Sequence, residues 1–185
     1  MASNLARKGF LVLLLLIIPW AVCNATPYLE ALTEKDPLYS EALAAASAWK
    51  GALLDRNTDT LLLYAPPELR EKIRDELKNR KSDLYRLFYD AAWNRRRGSR
   101  SFQQILKAAK RLRIFMQKSE TQGTSSVQGV DIFYYDEGKA GLKFPLDMKD
   151  VEYGRLQQAV DEGRVLYMLF FKKDGRWYAN YELFE

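Results

Sequence analysis

Histidine is absent from this chain of 185 residues, and cysteine occurs only once, at Cys23. Without histidine, the chain lacks the means for histidine-dependent triads, facial triads and most zinc sites. A single cysteine also excludes a disulfide within the chain. The sequence contains neither a phosphate-cradling glycine loop nor the acidic spacing of a calcium-binding EF-hand loop. We therefore expect no metal site and no cofactor.

What the chain does contain is typical of one globular domain, with 48% hydrophobic and 29% charged residues. These proportions argue against a disordered or fibrous chain. No internal repeat and no long low-complexity tract interrupts the sequence.

The N-terminal residues have the pattern of an export signal. Arg7 and Lys8 precede an apolar run at residues 9–23, which is 15 residues long. Because a membrane-spanning helix needs roughly 20 apolar residues, this run favours a cleaved signal peptide. We expect export to the periplasm or the extracellular space.

Small residues allow signal cleavage after Cys23 or after Ala25. The sequence thus predicts a signal peptide over residues 1–25 and a single domain over residues 26–185. An alternative is lipid attachment at Cys23, although Val22 stands where a lipidation signal prefers a small residue. An uncleaved membrane anchor is a third alternative.

Hydrophobic periodicity predicts helices in the first part of the domain and strands in the second. Residues 26–35 and 136–150 are expected to be a lead-in and a loop. Asp36 and Pro37 are typical of a helix start, with Asp36 as a cap. The predicted helices are a five-turn helix from Pro37, a short one at 58–64, a long one at 67–93, and two more at 102–110 and 151–160. The predicted strands are 112–116, 130–135 and a final hairpin from Val165.

The hairpin is the strongest local signal, because Asp174 and Gly175 separate two strand-like runs. Pairing Lys173 with Arg176 places Phe170 opposite Ala179, Met168 opposite Tyr181, and Leu166 opposite Leu183. Helices followed by strands predict an α+β fold, with N-terminal helices packed on a curved, mainly antiparallel sheet.

Three segments resemble the nuclear transport factor 2-like superfamily, whose cystatin-like fold is an α+β cone. They are AWKGALL at residues 48–54, DTLLLYA at residues 59–65 and KDGRWY at residues 173–178. Many members open with a helix, a short acidic turn and a second helix, and close with such a hairpin. The resemblance implies a cone over residues 37–185, and the basic stretch near residues 94–110 departs from the family pattern. Because one fold serves many functions, the resemblance does not choose between enzyme and binding module.

The resemblance also implies two kinds of chemistry. Dehydratases and cyclases of the superfamily use a His–Asp pair, which this chain lacks. Isomerase-type members use a carboxylate with a tyrosine or a protonated acid. Candidates here are Asp131, Tyr134, Tyr135, Tyr181 and Glu182. The alternative is that these strand residues belong to the core or the solvated rim, and no catalytic residue is assigned.

A cone can hold a ligand in an apolar cavity, or it can be filled by an aromatic core. The candidate pocket residues are Trp49, Tyr64, Phe88, Phe170 and Trp177, with Met168 and Tyr181 beside them.

The formal charge of +5 is unevenly distributed. Removing Arg7 and Lys8 with the signal peptide leaves +3, and removing the nine basic residues between 91 and 119 leaves −6. No acid occurs in that stretch. It suits anionic lipid head groups, a polyanionic glycan or an acidic protein face, whereas an exported protein is not expected to meet nucleic acid. The alternative is a solvated surface. The candidate binding residues are Trp93, Arg95, Arg96, Arg97 and Arg100.

From these observations we expect a non-catalytic binding domain of the cell envelope. Its partner is not identified by the sequence. A small isomerase-type enzyme is the main alternative, and a lipid-anchored envelope protein is another.

Overall fold

The computed structural model describes residues 28–118, 128–136, 147–148, 156 and 158–181. Helices dominate up to residue 108, and a strand follows at residue 111. The predicted α+β class with an antiparallel sheet is confirmed. Residues 1–27, which include the predicted signal peptide and Cys23, lie outside the described residues. No helix in the described part is long and apolar enough to cross a membrane.

The helical layer begins with the predicted five-turn helix. Pro37 is its first residue, but the side chain of Asp36 does not cap it. Instead, Asp36 accepts a hydrogen bond from the backbone N–H of Thr33 at 2.7 Å. The helices are α1 (Pro37–Leu54), α2 (Thr58–Leu63), a 3-10 turn (Pro67–Leu69), α3 (Arg70–Lys78), α4 (Asp83–Tyr89), α5 (Ala91–Arg96) and α6 (Phe102–Ala108).

The prediction of one long helix over residues 67–93 is wrong, because the helix is interrupted at residues 79–82 and again at Asp90. Residues 79–82 are all polar and offer no apolar side chain to continue the buried stripe. Ser82 and Asp90 then start new helices, accepting hydrogen bonds from the backbone N–H groups of Tyr85 (3.1 Å) and Trp93 (2.9 Å). Such caps satisfy donors that the first turn of a helix leaves free.

The helix predicted over residues 102–110 is present and ends at residue 108. Of the helix predicted over residues 151–160, residues 151–155 and 157 lie outside the described residues. Ser101 and Gln104 form a reciprocal capping box at the start of α6. Residues 158–161 are helical, and Gly163 follows with a positive φ of 64°, as expected after a helix end.

The strands form one antiparallel sheet in the order β4-β1-β2-β3-β5-β6. Two of them were not expected: β1 lies in the predicted lead-in, and β4 lies in the predicted loop. Their pairing with distant strands gives no local sequence signal. The strands are β1 (Tyr28–Ala31), β2 (Arg111–Lys118), β3 (Gln128–Tyr135), β4 (Asp147–Met148), β5 (Val165–Lys173) and β6 (Arg176–Ala179).

The final hairpin has the predicted register, with Lys173 opposite Arg176 and Phe170 opposite Ala179. Asp174 and Gly175 have φ angles of 52° and 74°, which the primed hairpin turns require. Strand β6 ends at Ala179, so the expected ladder pair of Met168 with Tyr181 is not formed, and Leu183 lies outside the described residues.

Alternation along the strands gives the sheet two buried faces. We call the face covered by α1 to α6 the helix face, and it includes Ile132, Tyr134, Met168 and Phe170. We call the opposite face the rear face. Its buried cluster contains Ala31, Phe115, Phe133, Tyr135 and Val165, with Leu156 and Ala159 packed on it.

The two glycines at residues 51 and 163 provide a matched test of this backbone. A Cβ on Gly163 would lie 2.9 Å from the backbone nitrogen of Arg100, and the residue has a positive φ, whereas a Cβ on Gly51 meets nothing within 4 Å. We expect Gly163→Ala to lower the free energy of unfolding by at least about 1 kcal/mol. Gly51→Ala, inside α1, should raise it by about 0.5–1 kcal/mol. Urea unfolding measures both, and a stabilised Gly163→Ala protein would contradict this backbone geometry.

Candidate functional site

The basic stretch spans the end of α5, the loop after it, α6 and the start of β2. Two side chains hold its framework to α1. The Lys50 ammonium donates to the carbonyl of Ala109 at 3.0 Å, and the Gln103 amide donates to the carbonyl of Leu54 at 3.1 Å. Partial burial lowers the pKa of Lys50. The basic side chains therefore stand on secondary structure that is tied to the helical core.

Seven basic side chains of this stretch are exposed and form no ion pair within the described residues. Without an acidic neighbour, their charge is compensated only by solvent and salt, so an anionic partner can approach without displacing a carboxylate. We call this set the basic surface; it consists of Arg95, Arg96, Arg97, Arg100, Lys107, Lys110 and Arg113.

Trp93 sits beside the basic surface and orders part of it. The guanidinium carbon of Arg97 lies 4.4 Å from the Trp93 ring centroid, and that of Arg86 lies 6.0 Å from it. Both distances are in the range of cation–π attraction. Arg97 is therefore held against the indole ring. The predicted binding residues Trp93, Arg95, Arg96 and Arg97 thus lie together on α5 and its end, and Arg100 follows three residues later.

Asp131, the candidate carboxylate, lies on the rear face in the middle of β3. It is 2% exposed and accepts a hydrogen bond from the Tyr167 hydroxyl at 2.6 Å. Its other oxygen, Oδ2, is buried without a hydrogen-bond partner among the described residues. Burial raises the pKa of Asp131 to about 6, against the smaller lowering effect of the Tyr167 hydrogen bond. A buried carboxyl with an unpaired oxygen is costly when ionised.

The tyrosines proposed to work with Asp131 lie elsewhere. Tyr134 and Tyr181 are buried in the helix-face core, on the other side of the sheet from Asp131. The Tyr134 hydroxyl donates to the carbonyl of Ala46 at 2.8 Å, and the Trp49 indole N–H donates to the Tyr181 hydroxyl at 3.0 Å. Burial raises the pKa of both tyrosines.

The described residues therefore bring Asp131 together with Tyr167, a pairing that sequence reasoning missed, and not with Tyr134 or Tyr181. Strand alternation places Tyr167 on the same face as Asp131 once the β3–β5 register is known. The hydrogen bond joins residues that are 36 apart, and the register that brings them together was not visible in the sequence. Tyr135 shares the rear face, and Glu182 lies outside the described residues.

The candidate pocket residues meet in the helix-face core. Trp49, Phe88 and Phe170 are fully buried. The Trp49 ring makes edge contacts with Phe88 at 6.2 Å and with Phe170 at 6.0 Å. Tyr64 lies 6.5 Å from Phe170, and the half-buried Trp177 donates to Glu41 at 3.4 Å. These contacts are those of a packed aromatic core. Their use as a ligand pocket stays a prediction.

A cleft of about 380 Å³ opens between α3 and α4, and none of those five residues lines it. Its apolar floor comes from Leu69, Ile73 and Leu84, and Tyr181 closes one side. Asp131 does not line this cleft either. Across the described ranges, no three acidic, cysteine or histidine side chains gather closely enough to hold a metal ion.

Comparison of the chain with models of protein families, with curated proteins and with solved structures finds no match.

Tyr181→Phe and Tyr134→Phe test the structural roles of the two hydroxyls. Tyr181→Phe removes the acceptor of the buried Trp49 N–H, so we expect it to cost about 1–3 kcal/mol in urea unfolding. Tyr134→Phe should cost less, since the carbonyl of Ala46 keeps a helical partner inside α1. Equal stability of wild type and Tyr181→Phe would contradict the structural role.

Proposed function

We propose that this protein is an exported, non-catalytic binding domain of the cell envelope that docks an anionic partner through its basic surface. The observation that carries the proposal is the set of seven exposed basic side chains without ion pairs in the described part of the chain. They lie in a stretch that has no acid, on a domain whose remaining formal charge is −6. The asymmetry orients the molecule, because an anionic partner attracts one region and repels the rest.

The partner belongs to one of three chemical classes: anionic lipid head groups, a polyanionic glycan or an acidic protein face. Trp93 supports a docking role, because an indole beside arginines combines apolar contact with charge. Nucleic acid is not expected as a partner, since an exported protein does not share a compartment with the nucleic acid of the cell.

The curvature of the sheet is a further proposal. We propose that the sheet curves around the helix-face core as a cone, as in the nuclear transport factor 2-like superfamily. Its support is the position of α1 and α2 before strands β2 to β6 of the antiparallel sheet, together with the closing Asp-Gly hairpin at residues 173–178.

The isomerase-type alternative has less support. It requires a carboxylate and a tyrosine donor facing one open cavity. Asp131 has the raised pKa that such chemistry needs, but it does not line the cleft, and Tyr134 and Tyr181 lie across the sheet from it. A binding function requires only the exposed basic surface.

Two triple variants with equal loss of charge test the basic surface. The first is Arg95→Gln, Arg96→Gln and Arg100→Gln. The control is Lys78→Gln, Arg80→Gln and Lys81→Gln, at exposed positions around the α3–α4 break. At about 1 kcal/mol per basic residue near an anionic surface, the first variant should bind anionic phosphatidylglycerol vesicles roughly 100-fold more weakly than wild type.

The control variant should lose less than about threefold, since its charges belong to a different segment of the chain and are not part of the basic surface. Binding of wild type to the vesicles, to heparin and to a polyaspartate matrix is measured in parallel at two salt concentrations. Equal losses in the two triple variants, or no salt-dependent binding to any of the three probes, would contradict the proposal.

We also propose that residues 1–25 are removed on export. Mass spectrometry of the protein purified from the cell envelope should give a chain that starts at Thr26, or at Asn24 for the alternative cut. A diacylglycerol-sized addition on Cys23 would instead establish the lipid anchor, and an intact N-terminus would establish the uncleaved form.

A further inference from the structure

The rear face has one polar side chain at its centre that the binding proposal does not use. Strand pairing places Asp131 between Phe115 on β2 and Leu169 on β5. Phe133 is its neighbour two residues along β3, and Tyr167 donates to its Oδ1 atom. The Phe133 ring lies 5.2 Å from the Tyr167 ring and 5.6 Å from the Phe115 ring. The carboxyl is therefore enclosed by aromatic and aliphatic groups.

This arrangement satisfies a neutral carboxyl better than a carboxylate. A neutral carboxyl keeps the Tyr167 hydrogen bond and has little charge to solvate. A carboxylate keeps the same bond, but its Oδ2 atom has no donor in the described part of the structure. Ionised groups without compensating hydrogen bonds are strongly disfavoured in such surroundings.

Other charged or titratable groups near this face do not replace the missing donor. Arg113 on β2 shares the face, opposite Phe133, but it is exposed and forms no ion pair within the described residues. Tyr135 lies four residues along β3, and Asp161 is exposed at the end of the helical residues 158–161. Among the described residues, Tyr167 is the hydrogen-bond donor to the carboxyl.

The same aromatic cluster holds the helical residues that cover the rear face. Leu156 and Ala159 belong to the same buried cluster as Phe115 and Phe133, and Val160 and Tyr167 pack against that cluster. We propose that Asp131 makes this covering depend on pH: the neutral carboxyl keeps the helical segment closed on the sheet, and ionisation loosens it. The proposal is independent of the basic surface and of its partner.

The direction of the effect follows from linkage. Burial raises the pKa of Asp131 from 3.8 to about 6, so the folded protein binds this proton more tightly than the unfolded chain does. The contribution to stability is fully present below pH 3.8 and is lost as the pH rises to about 6. The change in the folding equilibrium constant is on the order of 100-fold.

The test compares the purified wild-type protein with Asp131→Asn, which keeps an acceptor for Tyr167 and cannot ionise. The ratio of the folding equilibrium constants, Asp131→Asn over wild type, should rise on the order of 100-fold between pH 4 and pH 7.5. The matched control is Asp75→Asn, which removes an exposed carboxyl on α3. A ratio for Asp131→Asn that rises no more than the ratio for Asp75→Asn would overturn the proposal.

Two further measurements separate a pH device from a merely structural aspartate. Carboxyl ¹³C NMR of the wild type needs no variant and should show Asp131 titrating near pH 6, and a midpoint at or below pH 4 would overturn the proposal. Tyr167→Phe removes the donor that favours the carboxylate, so this midpoint should move to higher pH.

Amide hydrogen exchange reports on the covering itself. Residues 158–161 should exchange faster in wild type than in Asp131→Asn at pH 7.5 and at the same rate at pH 4. Comparing the two proteins at one pH removes the intrinsic pH dependence of exchange. If the wild type and Asp131→Asn exchanged at the same rate at pH 7.5 as well as at pH 4, ionisation would not open the segment, and the proposal would be overturned.

Discussion

The hydrogen bond between Trp49 and Tyr181 joins parts of the chain that are 132 residues apart, and much of the helix face depends on it. Trp49 is fully buried, and its ring contacts Phe88 on α4 and Phe170 on β5. Each such edge contact contributes about 0.5–1.5 kcal/mol beyond burial alone. The indole N–H would be a costly unpaired donor without the Tyr181 hydroxyl, so Tyr181, two residues after β6, is fixed against α1.

Because apolar side chains fill the helix-face core, the buried carboxyl and the basic surface both lie outside it. The helix face is filled by aromatic and aliphatic side chains, and its tyrosine hydroxyls are engaged with α1 and α2. The buried carboxyl lies on the rear face, and the basic surface lies on the exposed parts of α5, α6 and β2. The arrangement separates a packed scaffold from a charged exterior.

The parts of the fold that were predictable from the sequence depend on neighbouring residues. The Asp-Gly turn sets the register of the hairpin locally, and the capping box of Ser101 and Gln104 marks the start of α6. The prediction of a single long helix failed because the polar residues 79–82 interrupt the buried stripe and because Ser82 and Asp90 cap new helices. Strand β1 and the Asp131–Tyr167 contact depend on pairings between distant residues, which composition and period do not encode. The basic surface was visible in the sequence because its charges fall in one stretch that has no acid. Their lack of ion pairs among the described residues required the structure.

The central claim is that an anionic partner docks on the basic surface, and a footprint of the bound complex tests it most directly. Hydroxyl-radical labelling, read by mass spectrometry, would compare the free protein with the protein bound to anionic vesicles or heparin. The account predicts protection of Trp93 and residues 95–100, with unchanged labelling of α3. Protection of α3 and α4 with full labelling of Trp93 would contradict it.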